Sequence, residues 1–261
     1  MPALDDLQKD GGSAAGWEEF DVNPEHVKKT KASKIKQSTD TLIISDLHLG
    51  SEVCRAKELV RTLKEWDYRR LVLLGDIFDD LNFKRLRKSH WKFLSYMRKI
   101  SKKVDVVWVK GNHDKHFYEM ITALMGVAAH EEFTFDMGSK RMLAIHGDQF
   151  DRFMTENPRL SLIAGRAYIF IQRLDGRGQR ISRYIKRKSK GWLKVSSKIA
   201  STAIDYAERR GAEVIFCGHT HKSMIFERDG ITYYNTGCWT DSPSTFVTIS
   251  AEGRIDVHEV A

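Results

Sequence analysis

Five short stretches of the chain carry residues that bind hard or borderline divalent cations. They are DLHLG with Asp46 and His48, GDIFD with Asp76, GNHD with Asn112, HGD with His146, and GHTH with His219 and His221. Carboxylate, imidazole and amide oxygen suit Mn²⁺, Fe or Zn²⁺, and a two-ion site needs one carboxylate able to bridge ions ~3.5–4 Å apart. His48, His113, His146, His219 and His221, five of the ten histidines, fall in these stretches. The DxH and HxH spacings suit an extended segment, where side chains two apart share a face. Gly75, Gly111, Gly147 and Gly218 stand beside the candidates and allow close approach to backbone. One such signal arises by chance; five in succession, each ending an apolar run, do not.

Those apolar runs are the elements that must position the set. TLIIS precedes DLHLG, RLVLL precedes GDIFD, VDVVWVK precedes GNHD, RMLAI precedes HGD and AEVIFC precedes GHTH. Helical spacing of apolar residues marks residues 56–66 and 86–100 between them. Short apolar strands alternating with helices predict an α/β protein with strands buried on both faces. Ligands then collect at the carboxyl ends of the strands, where every signature lies. The last thirty or so residues read as β-rich, with turns at Asp229-Gly230 and Glu252-Gly253.

DLHLG, GDIFD, GNHD, HGD and GHTH, in that order over about residues 41–239, resemble the calcineurin-like metallophosphoesterases. The resemblance implies a four-layer α/β sandwich, two packed β-sheets flanked by helices, with a dinuclear site and a helical insertion. It implies one ion held by Asp46, His48, Asp76 and His221 and a second by Asp76, Asn112, His146 and His219, with Asp76 bridging. His113 would contact the phosphate and assist the leaving oxygen, with Asp114 orienting it, and Asp79 would support a ligand or cap a helix. The implied cofactor is two divalent ions, manganese first, with iron or zinc as alternatives. They would activate water for hydrolysis of a phosphoester or phosphoanhydride.

Motif order and length are most similar to the UDP-2,3-diacylglucosamine pyrophosphatase branch of lipid A synthesis. That branch carries a basic, apolar lid between HGD and GHTH. Residues 155–198 occupy the same place, with Leu160, Ile163, Ala167, Ile171 and Leu174 at helical spacing and Tyr168 and Phe170 beside them. Arg180, Arg183, Lys186 and Arg187 follow as candidate substrate-binding residues, suited to phosphate or an anionic membrane surface. One departure stands out: the branch typically reads GNRD where this chain reads GNHD, the wider family's form. A phosphodiesterase or nuclease of the same fold is the alternative. The basic stretch lacks the interleaved aromatics of a nucleic-acid stacking groove, which makes nucleic acid the less favoured partner. A non-catalytic scaffold would have lost ligands that are all present here.

Composition sets the outer bounds. With 261 residues, 41% hydrophobic and 30% charged, the chain can bury a substantial core. Residues 1–38 lack hydrophobic periodicity and are expected to form a flexible basic tail, leaving 39–261 as one domain. The opening is polar and acidic, unlike a signal peptide, and no run approaches a membrane span. Cys54, Cys217 and Cys238 are odd in number, are widely spaced and form no CxxC. They are expected to be reduced thiols of a cytoplasmic protein. The net charge is +8, and residues 156–198 alone hold twelve Lys/Arg against two acids. That concentration suggests a phosphate-bearing partner, whether nucleotide, anionic lipid surface or nucleic acid, and the lipid case implies peripheral contact with the inner face of a membrane.

Overall fold

The computed structural model describes residues 27–29, 36–80, 82–114, 118–151 and 190–261. Its strands form two mixed sheets. The first is ordered β1 (Val27–Lys29), β12 (Ile255–Val260), β11 (Ser244–Ile249), β2 (Gln37–Ile44), β3 (Trp66–Leu74), β4 (Asp105–Val109) and β5 (Ala129–His130). The second is ordered β6 (Glu132–Met137), β7 (Lys140–Ile145), β8 (Val214–Cys217), β10 (Ile231–Asn235) and β9 (Met224–Arg228). Helices α1 (Ala56–Lys64), α2 (Lys88–Ile100) and α3 (Tyr118–Met125) connect strands of the first sheet, and α4 (Lys190–Arg209) leads into β8.

The alternation of side chains along each central strand builds the layers. Leu42 and Ile44, Leu71 and Leu73, and Val106 and Trp108 face outward from the first sheet, in one cluster with Leu59 and Leu63 of α1 and Phe93 and Met97 of α2. The intervening Ile43, Val72, Leu74, Val107 and Val109 meet Met142, Ala144, Val214 and Phe216 of the second sheet. Leu143, Ile145, Ile215 and Cys217 face away from that interface, onto Ile199, Ala200, Ala203, Ile204 and Ala207 of α4. The order is helix, sheet, sheet, helix, as the family resemblance implies. Both sheets take parallel strands at their centres, β2–β3–β4 in one and β7–β8–β10 in the other. This is why those strands are apolar on both faces.

Three boundaries differ from the sequence reading. The strand ahead of GDIFD starts at Trp66, directly after α1, because Trp66 is buried in the outer core instead of ending the helix. Within the expected tail, Val27–Lys29 pairs in parallel with Val257–Glu259 and extends the first sheet by one edge strand. Three residues are too few to show the alternation by which a strand is recognised. The expected insertion boundary at 198 also falls inside α4, whose residues from Ile199 onward pack on the second sheet. Leu160, Ile163, Ala167, Tyr168, Phe170, Ile171, Leu174, Arg180, Arg183, Lys186 and Arg187 lie outside the described residues. The turn at Asp229-Gly230 is as expected: both residues have positive φ, 55° and 78°, and they join β9 to β10 as a two-residue hairpin.

Candidate metal centre

Every candidate ligand follows a central strand at its carboxyl end. Asp46 and His48 follow β2, Asp76 follows β3, Asn112 follows β4, His146 follows β7, and His219 and His221 follow β8. Strands of both sheets therefore deliver residues to one edge of the sandwich. Hydrogen bonds continue the pairing past the strand ends and fix these loops: Asp46 N–H to the Gly75 carbonyl (3.1 Å), His48 N–H to that of Asp76 (3.0 Å), and Gly218 N–H to that of His146 (3.0 Å).

The local backbone differs from the extended segment expected from the DxH and HxH spacings. Asp46, His48, Asp76, His219 and His221 have φ of 52°, 49°, 52°, 65° and 55°, the left-handed region. Such a residue costs on the order of 1–3 kcal/mol and persists where the surroundings enforce it. Here the turn at each ligand bends the chain around a common centre, while Leu47 between the first two stays buried in the core. Glycine beside the ligands is a packing requirement. A Cβ at Gly218 would lie 2.3 Å from Asp46 Oδ2, and one at Gly111 would lie 2.3 Å from Asp76 Oδ1.

Two groups of ligand atoms result. Asp46 Oδ1 lies 3.2 Å from His221 Nε2 and 4.0 Å from His48 Nε2. Asp76 Oδ2 lies 3.3 Å from His146 Nε2 and 3.8 Å from His48 Nε2, so one carboxylate faces both groups. His219 joins through its ring, 5.5 Å from that of His146, and through its N–H, which donates to Asp46 Oδ2 (3.1 Å). Asp46 and Asp76 are almost wholly buried. Burial opposes their charge. The His221 ring outweighs it at Asp46, and the His146 ring, helped by His113 and His48, holds Asp76 well below the usual carboxylate range. His146 is raised well above its ordinary value by Asp76 and Asp46 despite burial. Protons and cations thus compete for the same nitrogens.

The second nitrogen of each histidine is engaged, and this assigns the tautomers. His48 Nδ1 lies 3.3 Å from Asp79 Oδ1, itself paired with Arg85 at 2.7 Å. His146 Nδ1 donates to the Leu74 carbonyl (3.0 Å), and His221 Nδ1 lies 3.5 Å from Thr240 Oγ1. His219 differs: its Nε2 lies 3.1 Å from Asp151 Oδ2, which leaves Nδ1 for a ligand. The Nε2 atoms of His48 and His221 then face each other at 3.1 Å, an arrangement that needs a shared proton or cation. Asn112 Oδ1 is buried without a hydrogen bond, a cost of about 1–3 kcal/mol that a bound cation would remove. The donor set fits divalent ions.

His113 is set apart. Its side chain is 40% exposed, its N–H donates to Asp76 Oδ1 (2.9 Å), and its Nε2 lies 4.0 Å from Asp76 Oδ2. Its orientation corrects the sequence reading. Nδ1 lies 2.7 Å from the Asp79 carbonyl, while Asp114 Oδ2 accepts from Ile77 N–H and Trp108 Nε1–H, both at 3.1 Å. Asp114 turns inward because buried donors of β4 and of the loop after β3 reach it. Burial and then the Asp76 charge push its carboxyl up to about 7. Asp79 supports His48, and among the described residues it caps no helix.

Asp151 was not foreseen. No spacing marks it, because a 3-10 turn at Asp148–Phe150 brings it round to His219. A carboxylate behind a ligating imidazole typically contributes 10–100-fold in metal affinity. Asp151→Asn is accordingly expected to weaken divalent-cation binding at the site containing His219 by roughly 10-fold or more, as calorimetric titration with Mn²⁺ would measure. Unchanged affinities at both sites would remove Asp151 from this role.

Residues 40–254 match the family model described as the calcineurin-like phosphoesterase superfamily domain. The UDP-2,3-diacylglucosamine hydrolases of Neisseria meningitidis serogroup B and Neisseria gonorrhoeae are each 24% identical over 229 residues, covering 82% of this chain and 95% of theirs. Among solved structures, an archaeal phosphodiesterase gives a TM-score of 0.48 at 11% identity, covering 84% of this chain and 99% of its own. With its five signatures on five converging strand ends and its match to the family model over most of its length, the chain belongs to the calcineurin-like phosphoesterase superfamily and is a metal-dependent phosphoesterase.

Proposed function

We propose that the protein hydrolyses the pyrophosphate of a nucleotide-linked lipid, of the UDP-2,3-diacylglucosamine type, with two manganese ions. Asp46, His48, Asp76 and His221 hold one ion, and Asp76, Asn112, His146 and His219 hold the other. When bound, the ions supply Lewis acidity toward phosphate oxygens and lower the pKa of water. The chain's own residues do the rest. Asp79, Asp151, Thr240 and the Leu74 carbonyl fix the imidazole tautomers, so that ligand lone pairs face inward before substrate arrives. His113 Nδ1 is held by the Asp79 carbonyl, which leaves Nε2 at the exposed rim to hold a proton for the departing oxygen.

The observation that carries the reaction class is Asp76, whose Oδ2 faces histidines of both groups at 3.3 and 3.8 Å. Support for the lipid substrate comes from the relatives' names and from the basic, apolar segment 155–198. Arg180, Arg183, Lys186 and Arg187 would meet its phosphates and the apolar residues its acyl chains. Peripheral residence at the inner membrane face would follow.

The test is a screen of the manganese-loaded protein against UDP-diacylglucosamine, other nucleoside-diphosphate sugars and cyclic dinucleotides. Cleavage of the lipid-linked pyrophosphate is expected. Replacing 155–198 with a short Gly/Ser linker should abolish that activity yet leave a small chromogenic phosphodiester largely hydrolysed. Each buried methylene contributes ~0.8 kcal/mol to lipid affinity, whereas the ligands lie outside the segment. Hydrolysis confined to nucleic acids or cyclic dinucleotides would overturn the substrate assignment and leave the phosphoesterase class standing.

A further inference from the structure

A basic surface lies on α2, a segment separate in sequence from 155–198. From Phe83 to Lys103 there are nine Lys/Arg and no Asp or Glu. Lys88, Trp91, Lys92, Ser95, Arg98 and Lys99 recur at three- and four-residue spacing, and all are exposed. At 3.6 residues per turn they fall within roughly a third of the helix circumference. His90, Phe93 and Met97 occupy the opposite side and are buried. Among the described residues Trp91, 52% exposed, is the one large hydrophobic side chain left open.

Tryptophan ringed by cations has a specific physical preference. The indole combines an apolar body with a polar N–H and favours the headgroup region of a bilayer, while lysine and arginine are drawn to anionic headgroups. Nucleic acid also carries phosphates, but single-strand binders stack bases on successive aromatics in a groove. Here α2 offers one exposed indole among the cations.

We propose that the exposed face of α2 docks on an anionic phospholipid surface. The docking face is tied to the catalytic loops. The Gly50 N–H donates to His90 Nδ1 (3.2 Å), and Arg87 Nη1 donates to the Glu52 carbonyl (3.4 Å). The first turn of α2 thereby holds the segment that follows Asp46 and His48, and docking sets the bearing of that loop to the bilayer. The interaction needs only charge and the indole, so it stands whatever the soluble or lipid substrate proves to be.

The experiment is flotation of the full-length protein with phosphatidylcholine vesicles, with and without phosphatidylglycerol, at low and high salt. Binding is expected only with phosphatidylglycerol, weakening as salt rises. A basic residue close to an anionic leaflet contributes roughly fivefold. Combining Lys88→Gln, Lys92→Gln, Arg98→Gln and Lys99→Gln should therefore lower partitioning by several hundred-fold, roughly fivefold for each charge removed. Glutamine keeps helix propensity, and retained hydrolysis of a soluble chromogenic phosphodiester would show that the variant folds. Trp91→Phe should remove the vesicle-induced blue shift of tryptophan emission. Partitioning of the quadruple variant within about threefold of wild type would overturn the proposal, as would wild-type indifference to phosphatidylglycerol. A variant that lost nucleic-acid binding while keeping vesicle binding would overturn it too.

Discussion

Replacing Asp76 with alanine is expected to abolish phosphoesterase turnover and to release bound metal together. Its Oδ2 is the oxygen that faces His48 in one ligand group and His146 in the other, and its Oδ1 holds the His113 N–H at 2.9 Å. One substitution therefore removes the shared ligand and loosens the backbone that presents His113. A loss of at least about 10³-fold is expected, above the 10²–10³ of a single hydrogen-bond donor. Steady-state hydrolysis of bis-p-nitrophenyl phosphate and the metal content of the purified variant would measure it. Activity within about tenfold of wild type at saturating manganese would defeat the bridging role. Asp76→Asn, nearly isosteric, separates loss of charge from loss of fold.

Replacing His113 with alanine is expected to give the opposite pairing of results: near-full metal content with turnover lowered ~10²–10⁴-fold, the usual contribution of a positioned proton donor. The geometry behind this is the partly exposed imidazole, fixed at Nδ1 by the Asp79 carbonyl, with Nε2 beside the centre at 4.0 Å from Asp76 Oδ2. Metal loss in parallel with activity would make His113 a ligand instead. Asp114→Asn should disturb stability more than the chemistry, since its partners are Ile77 and Trp108.

The layered fold was legible because its central strands are apolar on both faces and end in chemically distinctive residues. Side chains such as Ile43 and Leu42, adjacent in sequence, go to different cores, and uninterrupted hydrophobicity is the trace of that. The convergence of the candidate residues was legible for the same reason, since each candidate sits where a strand stops. What stayed hidden depends on distance across the chain. Asp151 meets His219 through 68 residues of separation, and the Asp79 carbonyl meets His113 through 34. Neither leaves a periodic signal. The left-handed turns at Asp46, His48, Asp76, His219 and His221 were also invisible, because aspartate and histidine tolerate that region without announcing it. The α2 surface was concealed by arithmetic. Outside 156–198 the chain sums to −2, yet nine cations stand together on a segment without acids. Net charge averages over faces that the helix keeps apart.

Titrating the metal-free protein with Mn²⁺ while recording electron paramagnetic resonance tests the two-ion centre most directly. Two ions should bind per chain, and the second should convert an isolated-ion signal into an exchange-coupled one, as expected for ions ~3.5–4 Å apart across one carboxylate. Saturation at a single uncoupled ion, or no specific binding, would contradict the centre built from Asp46, His48, Asp76, Asn112, His146, His219 and His221.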